Sequence, residues 1–218
     1  MADTEGKDPE TLKAGPGAYK TFQVSKTKPY QQVHYMAGNR ALSRHDEGKY
    51  SLILLNNVLG GDWMSSRLNL SIREKHAYAY HVSSTYQAYS DTGLFTVQVG
   101  TDEKYLEKSI DLIAKEFKAI KSKKLSQIQL NRVKRQVLGQ HSLLRDHGNW
   151  VVVANAKSML DYGTVYSPDH YYRKIGQVGA GDVISTANRL LDENEISMLL
   201  YRNQSYKNIN FEPETKSS

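Results

Sequence analysis

No cysteine occurs among the 218 residues. Disulfides, thiolate zinc sites and cysteine nucleophiles are therefore excluded, although oxidising and reducing compartments both tolerate such a chain. No apolar run is long enough to span a bilayer, and the opening MADTEGKDPETLKAGPG is polar and charged, unlike a secretory leader or membrane anchor. The usual local signatures of catalysis are missing as well. H-E-x-x-H, H-x-x-E-H, G-x-S-x-G, the phosphate-binding G-x-x-x-x-G-K-[ST] and the dinucleotide G-x-G-x-x-G do not occur. Seven histidines are present, but His76 and His81 lie five apart and His141 and His147 six apart. Neither pair has the one-turn spacing that places two ligands on one helix face.

What is present describes one globular unit. Hydrophobic residues make up 39%, charged residues 24%, and fifteen tyrosines are the unusual count. The formal charge is +6, and Lys121, Lys123, Lys124, Arg132, Lys134 and Arg135 form the densest basic run. No aromatic residues interleave with them to stack bases, so the run reads as a solvated helix face, and no nucleic-acid or membrane partner is expected. HDE at 45–47 reads as a helix start, with Asp46 capping, in preference to a ligand set.

The periodicities give an order of elements. YKTFQV (19–24) and QQVHYM (31–36) alternate as strands. A helix with Tyr50, Ile53, Leu54 and Val58 on one face follows Asp46 and stops at Gly60 and Gly61, and a second helix is expected over 65–75. YAYHVSSTY (78–86), turned by SDTG (90–93) into LFTVQVG, reads as a hairpin. Leu106, Ile110, Ile113, Phe117 and Ile120 stripe a long helix from about Thr101. Helical pattern resumes from Ser126 to about Tyr162 with a break at HGN (147–149), a short helix follows Pro168, and Val183, Ile184, Ala187, Leu190 and Leu191 mark the last one. EISMLLY (195–201) closes the chain as a strand. The expected fold is α+β, a mostly antiparallel sheet with helices packed on one face. Residues 1–18 read as a disordered lead-in, 19–203 as a single α+β domain and 204–218 as a polar tail.

One stretch concentrates reactive side chains: GGDWMSSRLNLSIREKHAYAYHV, from Gly60 to Val82. Arg73 falls in the last turn of the expected helix and Tyr80 early in the following strand, so a short turn brings both toward one edge. Taken alone, an arginine there serves the helix dipole and a strand tyrosine is half core. Spacing leaves both the structural and the functional reading open.

LLNNVLGG (54–61), MSSRLN (64–69) and IREKHAYAYHV (72–82), in that order, resemble the second half of the insulinase, or pitrilysin, zinc metallopeptidases, the group that includes mitochondrial processing peptidase. The similarity runs on through SDTGLFTVQVGTD (90–102), LSQIQLNRVKRQVLGQ (125–140) and GDVISTANRLLDENEISMLLY (181–201), and so covers about residues 19–202. The resemblance implies a half-domain of the processing-peptidase type that lacks the zinc motif, with zinc and H-x-x-E-H on a partner half, in the same polypeptide or a separate subunit. It also implies that Arg73 and Tyr80 are the catalytic and substrate-binding residues this half contributes, holding a peptide backbone and stabilising the reacting carbonyl oxygen. No metal ligand or cofactor is expected in this chain, and the isolated domain is expected to be inert.

The chain departs from the family where Asp62 and Trp63 precede Met64, and where Ala77 and Tyr78 replace the usual Gly and Leu. Trp63 and the extra Tyr78 are expected to pack in the core, with lining of the family's chamber as the alternative, and His76 and His81 to be polar surface or strand residues. The resemblance also admits a non-catalytic structural or recognition subunit, and the tyrosine-rich sheet edge admits a stand-alone peptide-binding module. Self-association of the isolated domain is a further expectation, and the expected setting is a bacterial cytoplasm or periplasm, which the residues do not separate.

Overall fold

The computed structural model describes residues 17–61 and 63–203. The expected lead-in up to residue 16, the tail from residue 204 and Asp62 lie outside the described residues. Strands β1 (Gln23–Lys28) and β2 (Val33–Ala41) precede helix α1 (Lys49–Gly60); a π-helix (Asn69–Glu74) then leads into the hairpin β3 (Ala79–Ala88) and β4 (Gly93–Thr101). Helices α2 (Glu103–Ser122), α3 (Gln127–Arg145), α4 (Gly148–Tyr162), α5 (Pro168–Gln177) and α6 (Ala180–Leu190) follow, and β5 (Ser197–Asn203) comes last. The sheet order is β1-β5-β2-β4-β3. Among the described residues only β1 and β5 run parallel; the other three pairings are antiparallel.

Alternation along the strands explains the layering. In β2, Val33, Tyr35, Ala37 and Asn39 are buried, while His34 between them is exposed. Their register partners Thr101, Val99, Val97 and Phe95 in β4 are buried with them, which makes one continuous inner face. Helices α1, α2 and α6 pack on that face. On α2 the expected stripe closes the core, with Leu106, Ile113, Phe117 and Ile120 buried and Ile110 packed at its margin. On the opposite face Gln98 lies between Met36 and Ser83 in register, and His34 and Thr85 are exposed. The α+β architecture is thus the expected one.

Several local expectations are corrected. β1 starts at Gln23 and not at Tyr19, because the chain joins the sheet only where Phe22 O accepts from Met198 N at 2.8 Å. Five of its six side chains are exposed, so ladder bonds and not an apolar pattern define it. β2 starts at Val33, two residues after Gln31. Asp46 does not cap α1 with its side chain: its carboxylate accepts from Ser43 N and Oγ, both at 2.8 Å, and Gly48 stands at the cap without a side-chain bond. Gly60 is the last residue of α1, and its lack of a Cβ matters for packing: a Cβ there would lie 2.6 Å from Ser84 N of β3. Trp63 is 37% exposed and so does not fill the core.

Other expectations hold. The helical pattern from Ser126 divides as expected, though at 146–147, one residue earlier than HGN, with Gly148 and Asn149 already in α4, and Pro168 occupies the first turn of α5. In the basic run, Lys121 donates to Leu191 O at 2.9 Å and Lys134 to Gly176 O at 2.6 Å, so two of its cations brace the fold.

Candidate functional site

Arg73 and Tyr80 occupy the ends of a short, heavily braced connection. After Leu68 the helix widens to i→i+5 bonding, with Lys75 N donating to Leu70 O at 3.0 Å. Leu68 and Ile72 are fully buried and hold this segment against the core. Single-turn π segments of this kind often accompany functional sites. The chain then reverses at Ala77, whose φ of 52° is the one left-handed non-glycine conformation among the described residues. Ala77 N donates to Arg73 O and Tyr78 N to Ile72 O, each at 3.0 Å, so the last carbonyls of the helix are satisfied as in a C-terminal cap. Thr101 Oγ1 donates to Tyr78 O at 2.5 Å and fastens the exit to the end of β4.

A stack of rings supports the same connection from outside. Tyr78 lies between His76 and Tyr105, with ring centroids 5.2 and 4.9 Å away. His76 Nδ1 donates to Ser71 O at 2.6 Å. His76 is therefore a brace of the turn, and exposed His81, bonded to Ser83 Oγ at 3.0 Å, is a surface strand residue.

Tyr80 sits at a β-bulge. Ala79 pairs with Thr101 and His81 with Gly100, which leaves Tyr80 as the extra residue and turns it out of the alternation expected over 78–86. It is 60% exposed. Its hydroxyl donates to both oxygens of Asp102, at 3.2 and 3.3 Å. That hydrogen bond, followed by the charge of Asp102, raises the phenol above its ordinary pKa and keeps it protonated. Asp102 occupies the N-cap of α2 yet makes no capping bond; its carboxylate serves the tyrosine. Sequence reading missed Asp102, since an aspartate before a helix signals a cap and its true partner is 22 residues upstream.

Arg73 is partly exposed, with Nε 3.2 Å from Glu74 Oε1. The bonds of the two side chains thus go to different acceptors, Glu74 and Asp102, and none joins them to each other. What the fold brings together is their backbone: both emerge at the end of the sheet where β3 begins and β4 ends. The pair offers one cation and one neutral phenol, both donors, on an exposed rim.

Other groupings do not compete with it. His45 packs edge-on against Tyr162, Asp46 holds its own turn and Glu47 pairs with Lys174 at 2.6 Å, so the HDE triplet is dispersed among three partners. Among the described residues no three His, Cys, Asp or Glu side chains are grouped to hold a metal ion. A cavity of about 410 Å³ lies on the helix side, between α1, α5 and α6, and mixes Glu47 and Asp182 with Lys174 and Arg189. It does not include Arg73 or Tyr80.

Comparison with known proteins gives the family. The profile of a family described as the peptidase M16 inactive domain matches residues 3–137, a segment that contains both Arg73 and Tyr80. The chain belongs to this family. The uncharacterized zinc protease YmxG of Bacillus subtilis is 30% identical over 175 residues, covering 80% of this chain and 42% of that protein. The mitochondrial-processing peptidase subunit alpha of Rattus norvegicus is 28% identical over 131 residues, 55% of this chain and 25% of the subunit. A peptidase M16 inactive domain from Pseudomonas fluorescens superposes with a TM-score of 0.76 at 20% identity, over 91% of this chain and 47% of that one, which shows a shared fold. This inactive domain spans less than half the length of each of these relatives. No helix among the described residues is long and apolar enough to cross a membrane.

Proposed function

We propose that this inactive domain is the non-zinc half of a bilobal zinc metallopeptidase that hydrolyses peptides or small unfolded proteins. Its partner is a half carrying H-x-x-E-H, in the same polypeptide or in a separate subunit, and the metal belongs to that half. When bound there, zinc polarises the scissile carbonyl; everything this chain adds is hydrogen bonding and positioning. Arg73 holds the substrate backbone, and Tyr80 donates its proton toward the carbonyl oxygen as negative charge develops on it. Both groups suit that role because each is a donor on an exposed rim, and closing the chamber around them removes the competing water.

The observation that carries this reading is the placement of Tyr80 at a bulge, 60% exposed, where a core tyrosine would be turned inward. The test uses the assembled enzyme and an unfolded peptide substrate. Arg73→Ala and Tyr80→Phe are each expected to lower kcat by about 10²–10³-fold, the usual cost of losing one such donor, with the melting temperature of this domain unchanged. Wild-type turnover in both variants would refute the assignment. The isolated chain supplied with zinc is expected to leave the same peptide uncleaved.

A further inference from the structure

Helix α4 has no buried residue. Its inner side is only half-buried: Trp150 meets His141 of α3 edge-on at 5.5 Å, and at the far end Tyr162 donates to Arg44 O at 3.1 Å while Asp161 pairs with Arg44. Its outer side carries Val152, Val153, Ala156, Met159 and Leu160, spaced as one helical stripe. Val152 is 69%, Val153 54%, Met159 52% and Leu160 85% exposed. Leu143, at the end of α3 beside the two-residue link to α4, is 66% exposed as well. Lys157 is the one charged residue among the exposed positions of the helix. An amphipathic helix on a protein surface normally turns such a stripe inward, and a contiguous exposed apolar stripe marks a contact surface.

We propose that the outer stripe of α4 is the surface on which the zinc-bearing half seats. This rests on the reading that such a half exists, and the lengths of the relatives say why it is the occupant: the matched region is 42% of the Bacillus subtilis protein and 35% of a Streptomyces coelicolor zinc protease, so in both this domain is accompanied by a longer stretch of chain. The position of the stripe fits a seat and not a substrate site. Arg44, to which α4 is tied, donates from its backbone N to Tyr89 O at the turn of the β3–β4 hairpin, whereas Tyr80 lies at the hairpin's open end. About nine residue steps of strand separate those ends, roughly 30 Å. The C-terminal end of α4 thus lies at the hairpin turn, away from the Arg73–Tyr80 rim, and contacts made there leave the rim open.

The test measures binding of the full chain to the polypeptide that carries H-x-x-E-H in the same or the neighbouring reading frame. Val152→Asp combined with Leu160→Lys, both at exposed positions, is expected to keep the circular dichroism spectrum and melting temperature and to weaken that complex at least tenfold. Tyr80→Phe is expected to bind as wild type. Hydrogen exchange across 148–162 is expected to slow only when the zinc half is added. Undiminished binding by the double variant would overturn the proposal, as would the absence of any H-x-x-E-H segment. Slowed exchange in the chain alone would also overturn it: at high concentration only, it assigns the stripe to a second copy, and at all concentrations to the chain's own terminal segments. A double variant that fails to bind while Arg73→Ala and Tyr80→Phe in the wild-type complex turn over normally would keep the seat and discard the catalytic roles.

Discussion

At the residue scale, the connection from Arg73 to Tyr80 is held by side chains with little conventional reason to be there. Ala77 adopts φ 52°, where an L-residue costs about 1–2 kcal/mol relative to the right-handed region and glycine costs nothing steric. Ala77→Gly is therefore expected to raise stability by about 1 kcal/mol, read as a higher melting midpoint, while leaving the Arg73–Tyr80 spacing intact. Asp102 gives a second prediction. Its hydrogen bond and charge raise the Tyr80 phenol, so Asp102→Asn should bring the titration of Tyr80 back toward 10, seen by NMR of labelled tyrosine with Tyr80→Phe as the assignment control. The two candidate residues, Arg73 and Tyr80, were singled out in the sequence through the order of motifs around them. Their surroundings were not: Asp102 looked like a cap, and Trp63 looked like core because its type is usually buried, whereas it is 37% exposed.

At the element scale, amphipathic period decides what could be read. α2 was legible because four of its stripe residues are buried on one side, and the break between α3 and α4 was legible to within a residue because HGN falls where α3 gives way to α4, Asp146 and His147 forming the break itself. β1 was misplaced because its exposed side chains carry no signal and its partner, β5, lies about 175 residues downstream. The bulge at Tyr80 was illegible for a related reason, since a one-residue mismatch belongs to the pairing with β4 and not to β3 itself. The contacts among α3, α4 and α5 add a pH dependence. His141 stacks on Tyr171 at 4.4 Å and meets Trp150 and Tyr172 edge-on, and its Nδ1 is buried without a hydrogen-bond partner. Burial, then the charge of Arg145, lowers its pKa. The unfolded chain consequently binds that proton more readily than the folded one, and stability falls as pH drops through about 6.5, the unfolded value. Urea unfolding between pH 7.5 and 5 should show a smaller loss for His141→Phe than for wild type.

At the scale of the whole molecule, all the covering helices sit on one face of a five-stranded sheet, and the other face, with His34, Gln98 and Thr85, carries no helix among the described residues. An antiparallel sheet tolerates one wetted face, and here that leaves a polar and aromatic wall opposite the core. This inactive domain has the layers of a complete domain, and on the proposed function it holds the donors of half a site. Its chemistry therefore depends on what is brought against it.

The sheet order also governs when this shape can exist. β5 lies between β1 and β2, so during synthesis β1 has no neighbour until residues 197–203 have left the ribosome. A nascent chain halted at residue 195 would hold the three antiparallel strands β2, β4 and β3 and its helices, and would lack two paired strands instead of one. Its far-ultraviolet spectrum should remain largely helical while the cooperative melting transition disappears, because the longest-range pairing in the molecule is made last.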